Sequence, residues 1–154
     1  MPFVEPDPQR EQEAREAMTQ PPFTLSHPER EIVRDAFVAL ARKRGWHLIA
    51  AHVRSTHAHV IVQADRDPNR TMSDFKAKAS FDLTRAGFDD STRHRWTRHG
   101  STPELYTQDQ ILATIRYVLD EQGERMAWYL DPEWAILHGT AHNDFGAAHE
   151  GFAE

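Results

Sequence analysis

Apolar residues recur every three to four positions in three segments of the chain, which is the spacing of one buried face of an α-helix. Ser26 or His27 can cap the first segment, and Gly45 ends it. Thr107 can cap the last segment, and Gly123 follows it. The pattern therefore predicts α-helices over 26–45, 71–87 and 107–123.

After the first helix, the pattern changes to short apolar runs that are typical of β-strands. "WHLIAAHVR" and "HAHVIVQA" predict strands over 46–54 and 57–64, and "HRWTR" suits a short strand over 94–98. The order helix, strand, strand, helix, strand, helix predicts an α+β sandwich, with helices on one face of a mainly antiparallel sheet.

The two ends of the chain lack this patterning. Residues 1–25 predict a polar N-terminal arm and 131–154 an acidic, flexible tail, which leaves 26–130 as the folded domain. No apolar run is long enough to cross a bilayer, and the first residues lack the features of a secretion signal. We therefore expect a cytoplasmic protein without a membrane partner. The absence of cysteine excludes disulfides, cysteine-based zinc sites and thiol nucleophiles.

The charge of the chain is unevenly distributed. The formal net charge is −6, but the acidic residues are concentrated at the two ends. Residues 21–130 hold 16 basic and 14 acidic residues, a net of +2, and "STRHRWTRHG" within them contains no acid. Phosphate binding depends on such local fields more than on the total charge. The segment 91–100 is therefore a candidate contact for nucleic acid.

One predicted strand opens with His57-Ala58-His59. Residues two apart in a strand face the same way, so the two imidazoles project side by side, about 7 Å apart. The intervening Ala58 then faces the core together with Val60 and Val62. Such a histidine pair can bind one divalent ion. The alternative is that the histidines cap the strand edge or hydrogen-bond to neighbouring groups.

The last predicted helix places a tyrosine away from its own apolar stripe. At about 100° per residue, Tyr117 lies roughly 160° from the centre of the stripe that contains Ile115 and Leu119. Glu121 follows one turn later on the same side as the tyrosine. A tyrosine can act as a nucleophile, and a carboxylate can complete a metal site. The alternative is a surface tyrosine that covers a neighbouring loop.

Four segments resemble, in the order in which they occur, the HUH single-tyrosine transposases: "THAHVIV", "MSDFKAKAS", "HRWTRHGST" and "ATIRYVLDEQG". The likeness is greatest to the REP-associated tyrosine transposases and their insertion-sequence relatives, and it covers roughly residues 28 to 123. In the family name, U stands for a hydrophobic residue between two histidines, the place of Ala58 here. The resemblance implies a ferredoxin/RRM-like α+β sandwich in a bacterial cytoplasmic protein.

The resemblance also implies a reaction. His57 and His59 would help to hold Mg²⁺ or Mn²⁺ on the scissile phosphate of single-stranded or hairpin DNA, where the ion polarises the phosphoryl oxygens. Tyr117 would attack in line and give a 5′-phosphotyrosine and a free 3′-OH. Glu121 occupies the place of the third metal ligand, where family members often have Gln or Asn. Gln122 is the alternative, although the helical spacing points it toward the core stripe.

The same resemblance assigns the basic segment to a DNA-binding groove. Its arginines and one histidine would follow phosphates, its tryptophan would stack on a base, and two lysines of the preceding helix would extend the groove. The alternatives are core packing for the tryptophan and a solvated helix face for the lysines. The candidate DNA-binding residues are Arg93, Arg95, Trp96, Arg98, His99, Lys76 and Lys78.

Two features depart from the family pattern. Family members have a β-strand before the first long helix, but residues 1–25 offer none, so the first strand is missing from the predicted order. Glu121 replaces the usual amide. An alternative function is therefore a domesticated or truncated transposase domain that binds DNA without catalysis. A histidine-triad hydrolase is excluded because Ile61 stands where its third histidine is needed. Family members act as dimers or alone, so a homodimer is a possible assembly.

Overall fold

The computed structural model describes residues 24–88, 96 and 105–142. These residues form four α-helices and three β-strands. In chain order the elements are α1 (His27–Arg44), β1 (His47–Val53), β2 (Ala58–Gln63), α2 (Pro68–Arg85), α3 (Gln108–Asp120), β3 (Ala127–Leu130) and α4 (Pro132–His142).

Two helices begin with a reciprocal pair of hydrogen bonds between side chains and backbone N–H groups that the helix itself leaves unpaired. At the start of α1, Ser26 Oγ accepts from the Glu29 N–H, and the Glu29 carboxylate accepts from the Ser26 N–H. Thr107 and Gln110 form the same reciprocal pair at the start of α3. Gly45 ends α1 at a φ of 71°, a conformation that favours glycine. The predicted N-caps are therefore confirmed, with the serine taking the first.

The three strands form one antiparallel sheet in the order β2–β1–β3. The central strand β1 pairs with β2 on one side and with β3 on the other. As a result, His52 of β1 lies opposite both His59 of β2 and Trp128 of β3. The α+β class and the antiparallel sheet are thus confirmed.

Helices cover both faces of this sheet. On one face, Val53 and Val60 belong to an apolar cluster with Phe37 of α1 and Phe75 of α2. On the other face, Ile61 belongs to a second cluster with residues of α3 and α4. The order of elements predicted helices on one face only. Six of the seven positions of β1 are buried, which is the pattern of a strand covered on both sides.

The sequence prediction missed two elements after residue 123. Strand β3 has four residues, and α4 lies in the part of the chain predicted to be a flexible tail. The tail prediction for 131–154 is therefore wrong for Pro132–His142. The apolar residues of α4 do not form a clear helical stripe, but Ala135 and Trp134 pack in the same cluster as α3. Tertiary packing of this kind stabilises a short helix whose sequence pattern is weak.

Other predictions fall on residues that the structure does not describe. The polar arm over 1–25 is described only from residue 24, so the missing first strand stays a prediction. The strand predicted over 94–98 is described only at Trp96, which has no regular secondary structure. Within the described part of the chain, none of the helices is both long and apolar enough to cross a membrane.

Candidate active site

The two histidines of the His-Ala-His segment lie next to each other at the start of β2. His59 is only 2% exposed, whereas His57 precedes the strand and is exposed to solvent. Their ring centroids are 6.4 Å apart, with an angle of 41° between the ring planes. Thr56 Oγ1 lies 2.9 Å from His57 Nδ1, the kind of contact that orients a metal-binding imidazole. The side-by-side placement predicted from the strand period is confirmed.

His59 combines deep burial with two ring nitrogens that make no ordinary hydrogen bond to the described residues. Burial lowers the pKa of His59 to about 4, with further lowering by His57 and His52. The Gln122 side chain acts in the opposite direction, which places that amide near the ring. A buried nitrogen without a partner costs about 1–3 kcal/mol. The ring is therefore neutral near pH 7, which is the form that binds a metal ion.

The burial of His59 makes the stability of the metal-free protein depend on pH. The pKa of its ring is about 4 in the folded chain, below the 6.5 of a histidine in an unfolded chain. The unfolded chain therefore binds the proton more tightly, and the free energy of unfolding falls as the pH drops from about 6.5 to 4. We expect a loss of about 2 kcal/mol from this group by pH 4.5. Urea unfolding in chelator at pH 7 and pH 4.5 measures it.

A substitution identifies the source of this pH dependence. His59→Gln should remove the part of the loss between pH 7 and pH 4.5 that comes from this ring, because glutamine does not titrate; burial also lowers the pKa of His52, which keeps its own contribution. His47→Gln is the matched control, since His47 is an exposed histidine at the start of β1. An unchanged pH dependence in His59→Gln would show that other groups cause it.

A second buried histidine, His52, has a structural role. Its Nδ1 lies 2.7 Å from the Val118 carbonyl oxygen, and its Nε2 lies 2.9 Å from the Met126 backbone nitrogen. A carbonyl can only accept and a backbone N–H can only donate, so Nδ1 carries the proton and Nε2 accepts. Burial lowers the pKa of His52, which keeps this neutral tautomer. Both nitrogens are used, and the ring joins β1 to the end of α3 and to the residue before β3.

Of the two residues predicted as alternatives for a third metal ligand, Gln122 lies nearer to His59 than its exposed neighbour Glu121. Helix α3 ends at Asp120, and Glu121 has a φ of −110° and a ψ of 14°, so helical spacing does not extend to it. Glu121 is exposed, while Gln122 is half-buried and interacts with His59. Gln122 Nε2 donates to the Tyr117 carbonyl at 3.4 Å, which leaves the amide oxygen for the imidazole or a metal. The choice between Glu121 and its alternative Gln122 as third metal ligand stays a prediction, and the exposure of the two side chains favours Gln122.

This assignment predicts different effects for two neighbouring substitutions. Gln122→Ala should weaken Mn²⁺ binding at least about 10-fold, because it removes a ligand oxygen, whereas Glu121→Ala should change it less than about 2-fold. Calorimetric titration of both variants with Mn²⁺ makes the comparison. A larger loss in Glu121→Ala would return the ligand role to the carboxylate.

Tyr117 lies in α3, five residues before Gln122. Its side chain is half-buried and packs against the second apolar cluster, which includes Ile61 and Trp128. Helical spacing predicted that Tyr117 lies away from the core, because that spacing describes only the apolar stripe of its own helix. Strand β3 and helix α4, neither of them predicted, extend this cluster around α3. The tyrosine therefore lies on the face of the sheet that also carries His59.

Arg54 was missed as a site residue by the sequence reasoning. Its Nη1 donates to the Glu124 carbonyl at 3.0 Å, and its charge lowers the pKa of His52 and His59. Gly123, at a φ of 90°, allows the chain to turn beneath it. Arg54 therefore anchors the turn that carries Gln122 and places a cation beside the histidines. The sequence feature that could have identified Arg54 is its position as a lone arginine between a buried strand and the His-Ala-His segment.

An ionic network holds the end of α3 from the other side. Asp120 accepts from Arg125 Nε at 3.0 Å and pairs with His138 Nε2 of α4 at 2.7 Å. Burial alone would raise the pKa of Asp120, but these hydrogen bonds outweigh it and lower the pKa to about 2. The Arg125 guanidinium also lies 4.1 Å from the centroid of the Trp128 ring. The turn that carries Gln122 is thus fixed at both ends.

The described candidates for DNA contacts lie on the opposite side of the sheet from the histidines. Trp96 is half-buried, packs against the α1 and α2 cluster and donates to Ser80 Oγ at 2.6 Å, which favours core packing. On α2, Lys78 pairs with Asp82 at 3.0 Å, and burial lowers the pKa of Lys76 to about 8. The remaining candidates lie outside the described residues: Arg93, Arg95, Arg98 and His99.

Comparison with known proteins adds no identification. No protein-family model, curated protein sequence or solved structure matches the chain. Among the described residues, no group of three or more His, Cys, Asp or Glu side chains could hold a metal ion. A metal bound at the histidine pair therefore needs the Gln122 amide or oxygens of a substrate to complete its ligands.

Proposed function

We propose that the chain is a metal-dependent single-tyrosine DNA strand transferase that nicks single-stranded or hairpin DNA. The observation that carries the proposal is the environment of His59. Its buried ring makes no ordinary hydrogen bond to the described residues and lies beside His57 and Gln122. A neutral, buried imidazole without an ordinary hydrogen bond is suited to bind a metal ion. The reaction itself is proposed from Tyr117 and from the resemblance of the four sequence segments to the HUH transposases.

The residues present fit a divalent ion. His57 and His59 would supply imidazole nitrogens, and Gln122 would supply an amide oxygen. Imidazole is a better ligand for Mn²⁺ than for Mg²⁺, so this donor set favours Mn²⁺ in binding measurements. When bound, the ion supplies Lewis-acid polarisation of the phosphoryl oxygens and neutralises charge that develops on them.

Tyr117 provides the nucleophile in this proposal. Its phenol gives up a proton, and the phenolate oxygen forms a bond to the scissile phosphorus while the bond from phosphorus to the 3′ oxygen breaks. The departing 3′ oxygen takes up a proton and becomes a hydroxyl. The chain then holds the 5′ phosphate as a tyrosine ester. Attack by a 3′-OH reverses the step and joins strands, because the phosphodiester bond energy is retained.

Arg54 supports the same chemistry through its position. Its guanidinium lies beside the histidines and would place positive charge close to the phosphates of the bound strand. The basic segment 91–100 stays a predicted DNA contact, although its described residue, Trp96, packs on the opposite side of the sheet. The resemblance also extends the proposal to a homodimer, which light scattering of the purified protein would test.

Covalent capture tests the function directly. The protein is mixed with a pool of single-stranded hairpins labelled at the 3′ end and Mn²⁺, and the products are separated on a denaturing SDS gel. We expect label at the position of the protein with Mn²⁺ and none with chelator. No adduct across a broad pool, from protein that shows a cooperative unfolding transition, would contradict the proposal.

A second candidate function is DNA binding without catalysis, as expected of a domesticated or truncated transposase domain. The observation that favours it is the half-burial of Tyr117 against the second apolar cluster, because a nucleophile has to reach its phosphate. This candidate predicts salt-sensitive binding of hairpins and no covalent adduct. The capture experiment, repeated with binding measured at two salt concentrations, separates the two functions.

A further inference from the structure

A cavity of about 380 Å³ lies at the far end of β2 from the histidines. It is bordered by the start of α2 and by the residues that lead into α3. Its lining includes Ile61 of β2, Thr71 and Met72 of α2, Tyr106 before α3 and Ile111 within α3. Ligand cavities in proteins have volumes of about 300–1,000 Å³, so this one suits a single small group.

The lining of the cavity mixes apolar side chains with the polar side chains of Gln63, Arg66 and Thr71, and its rim carries an aromatic ring. Ile61 and Met72 are buried, whereas Tyr106 is 78% exposed. An exposed aromatic ring at the mouth of a partly apolar cavity is a surface on which a nucleobase can stack. Thr71 donates its hydroxyl hydrogen to the Asp67 carbonyl at 3.0 Å, and its oxygen can still accept a hydrogen bond from a base edge.

The charges at the cavity argue against a phosphate inside it. Arg66 lies in the lining, but its Nη1 is 2.6 Å from Asp74 Oδ2, so a phosphate would compete with a close carboxylate for this guanidinium. Asp74 also receives a hydrogen bond from Arg44. A phosphate would have to displace this carboxylate, whereas an uncharged base would not.

The cavity and the histidines lie on one strand. Ile61 follows His59 by two residues and faces the same side of the sheet, and Gln63 follows it by four. These separations correspond to about 7–13 Å along the strand. Because an unstacked single strand spans at least about 3.4 Å per nucleotide, a base in the cavity would be at most roughly four nucleotides from a phosphate at the histidines.

We propose that the cavity binds one unstacked nucleobase of the same single strand whose phosphate lies at His57 and His59. The distance between base and phosphate rests on the proposed function, whereas the cavity and its aromatic rim do not. Tyr106 stacks on the base, and the apolar wall formed by Ile61 and Ile111 accepts its opposite face. The site thereby selects the position at which the strand is held.

The test is an abasic scan of the bound strand. Hairpin oligonucleotides with a single abasic nucleotide at successive positions are titrated in chelator by fluorescence anisotropy against wild type and Tyr106→Ala. Stacking on an aromatic side chain contributes enough that one abasic position should weaken wild-type binding about 5- to 100-fold. In Tyr106→Ala the same position should change affinity less than about 2-fold, because the base has already lost its stacking partner.

Phe81→Ala is the matched control, since Phe81 is a 61% exposed aromatic residue on α2 outside the cavity lining. It should keep the wild-type abasic profile. Ile111→Trp, which fills the cavity, should lose the sensitive position as Tyr106→Ala does. Identical abasic profiles for wild type and Tyr106→Ala, or no sensitive position in wild type, would overturn the proposal.

The scan separates this proposal from the proposed function because binding in chelator needs no catalysis. A Tyr106-dependent abasic position without a covalent adduct would leave the base site in place and remove the strand transferase. A covalent adduct without a Tyr106-dependent abasic position would support the strand transferase and overturn the base site. A sensitive position more than about six nucleotides from the mapped nick would contradict the shared strand path.

Discussion

Replacing Tyr117 by phenylalanine is expected to abolish the covalent protein–DNA adduct. Phenylalanine keeps the ring that packs in the second apolar cluster and removes only the hydroxyl oxygen that attacks phosphorus. The melting temperature and the affinity for Mn²⁺ should therefore stay close to wild type. The yield of label on an SDS gel should fall below the detection limit, at least about 1,000-fold in rate.

Two other tyrosines provide the controls for this substitution. Tyr106 is exposed before α3, and Tyr129 lies in β3, where its side chain packs with the α1 and α2 cluster. Tyr106→Phe keeps an aromatic ring. Both Tyr106→Phe and Tyr129→Phe should still form the covalent adduct. An adduct that persists in Tyr117→Phe at the wild-type yield would move the nucleophile to another residue.

Removing His57 is expected to have the second large effect. His57→Ala deletes an exposed imidazole that lies 6.4 Å, between ring centroids, from the buried His59. Because the side chain is exposed, the fold should be nearly unaffected. Loss of one of three protein ligands should weaken Mn²⁺ binding at least about 100-fold, more than changes to groups that only orient a ligand. Adduct formation should fall with the metal affinity.

The matched control for His57 is His27→Ala. His27 is also exposed and lies at the start of α1, where it pairs with Glu31 at 3.4 Å. It should leave both Mn²⁺ binding and the adduct unchanged. Mn²⁺ isotherms that coincide for wild type and His57→Ala would exclude the histidine pair as the metal site, and an adduct that still required metal would then have to use other ligands.

Much of the fold can be predicted from local signals in the sequence. The three helices with a clear apolar stripe lie close to where the spacing predicts them. Ser26 and Thr107 cap two of them as expected, and Asp67, which was not predicted, caps α2. Strand β3 and helix α4 could not be predicted in this way. Strand β3 has four residues, and α4 gains its order from contacts with α3 that are distant in sequence. The same contacts placed helices on the second face of the sheet.

The candidate site shows the same division between local and tertiary signals. The strand period predicted that His57 and His59 share a side, and the structure confirms it. Helical spacing misplaced Gln122, because α3 ends at Asp120 and the following turn re-aims the side chains. Local sequence patterns also did not identify Arg54 as a site residue, because its position beside the site depends on a contact with Glu124, 70 residues away in the chain.

Locating the attached DNA tests the assignment of Tyr117 as the nucleophile most directly. After covalent capture and nuclease digestion, trypsin should release the peptide YVLDEQGER, which follows Arg116, ends at Arg125 and begins with Tyr117. Mass spectrometry should find this peptide with a nucleotide phosphate on the tyrosine in samples with Mn²⁺, and only the unmodified peptide in samples with chelator. A phosphodiester on Tyr106 or Tyr129, or no modified peptide from protein that binds the hairpin, would contradict the assignment of Tyr117 as the nucleophile.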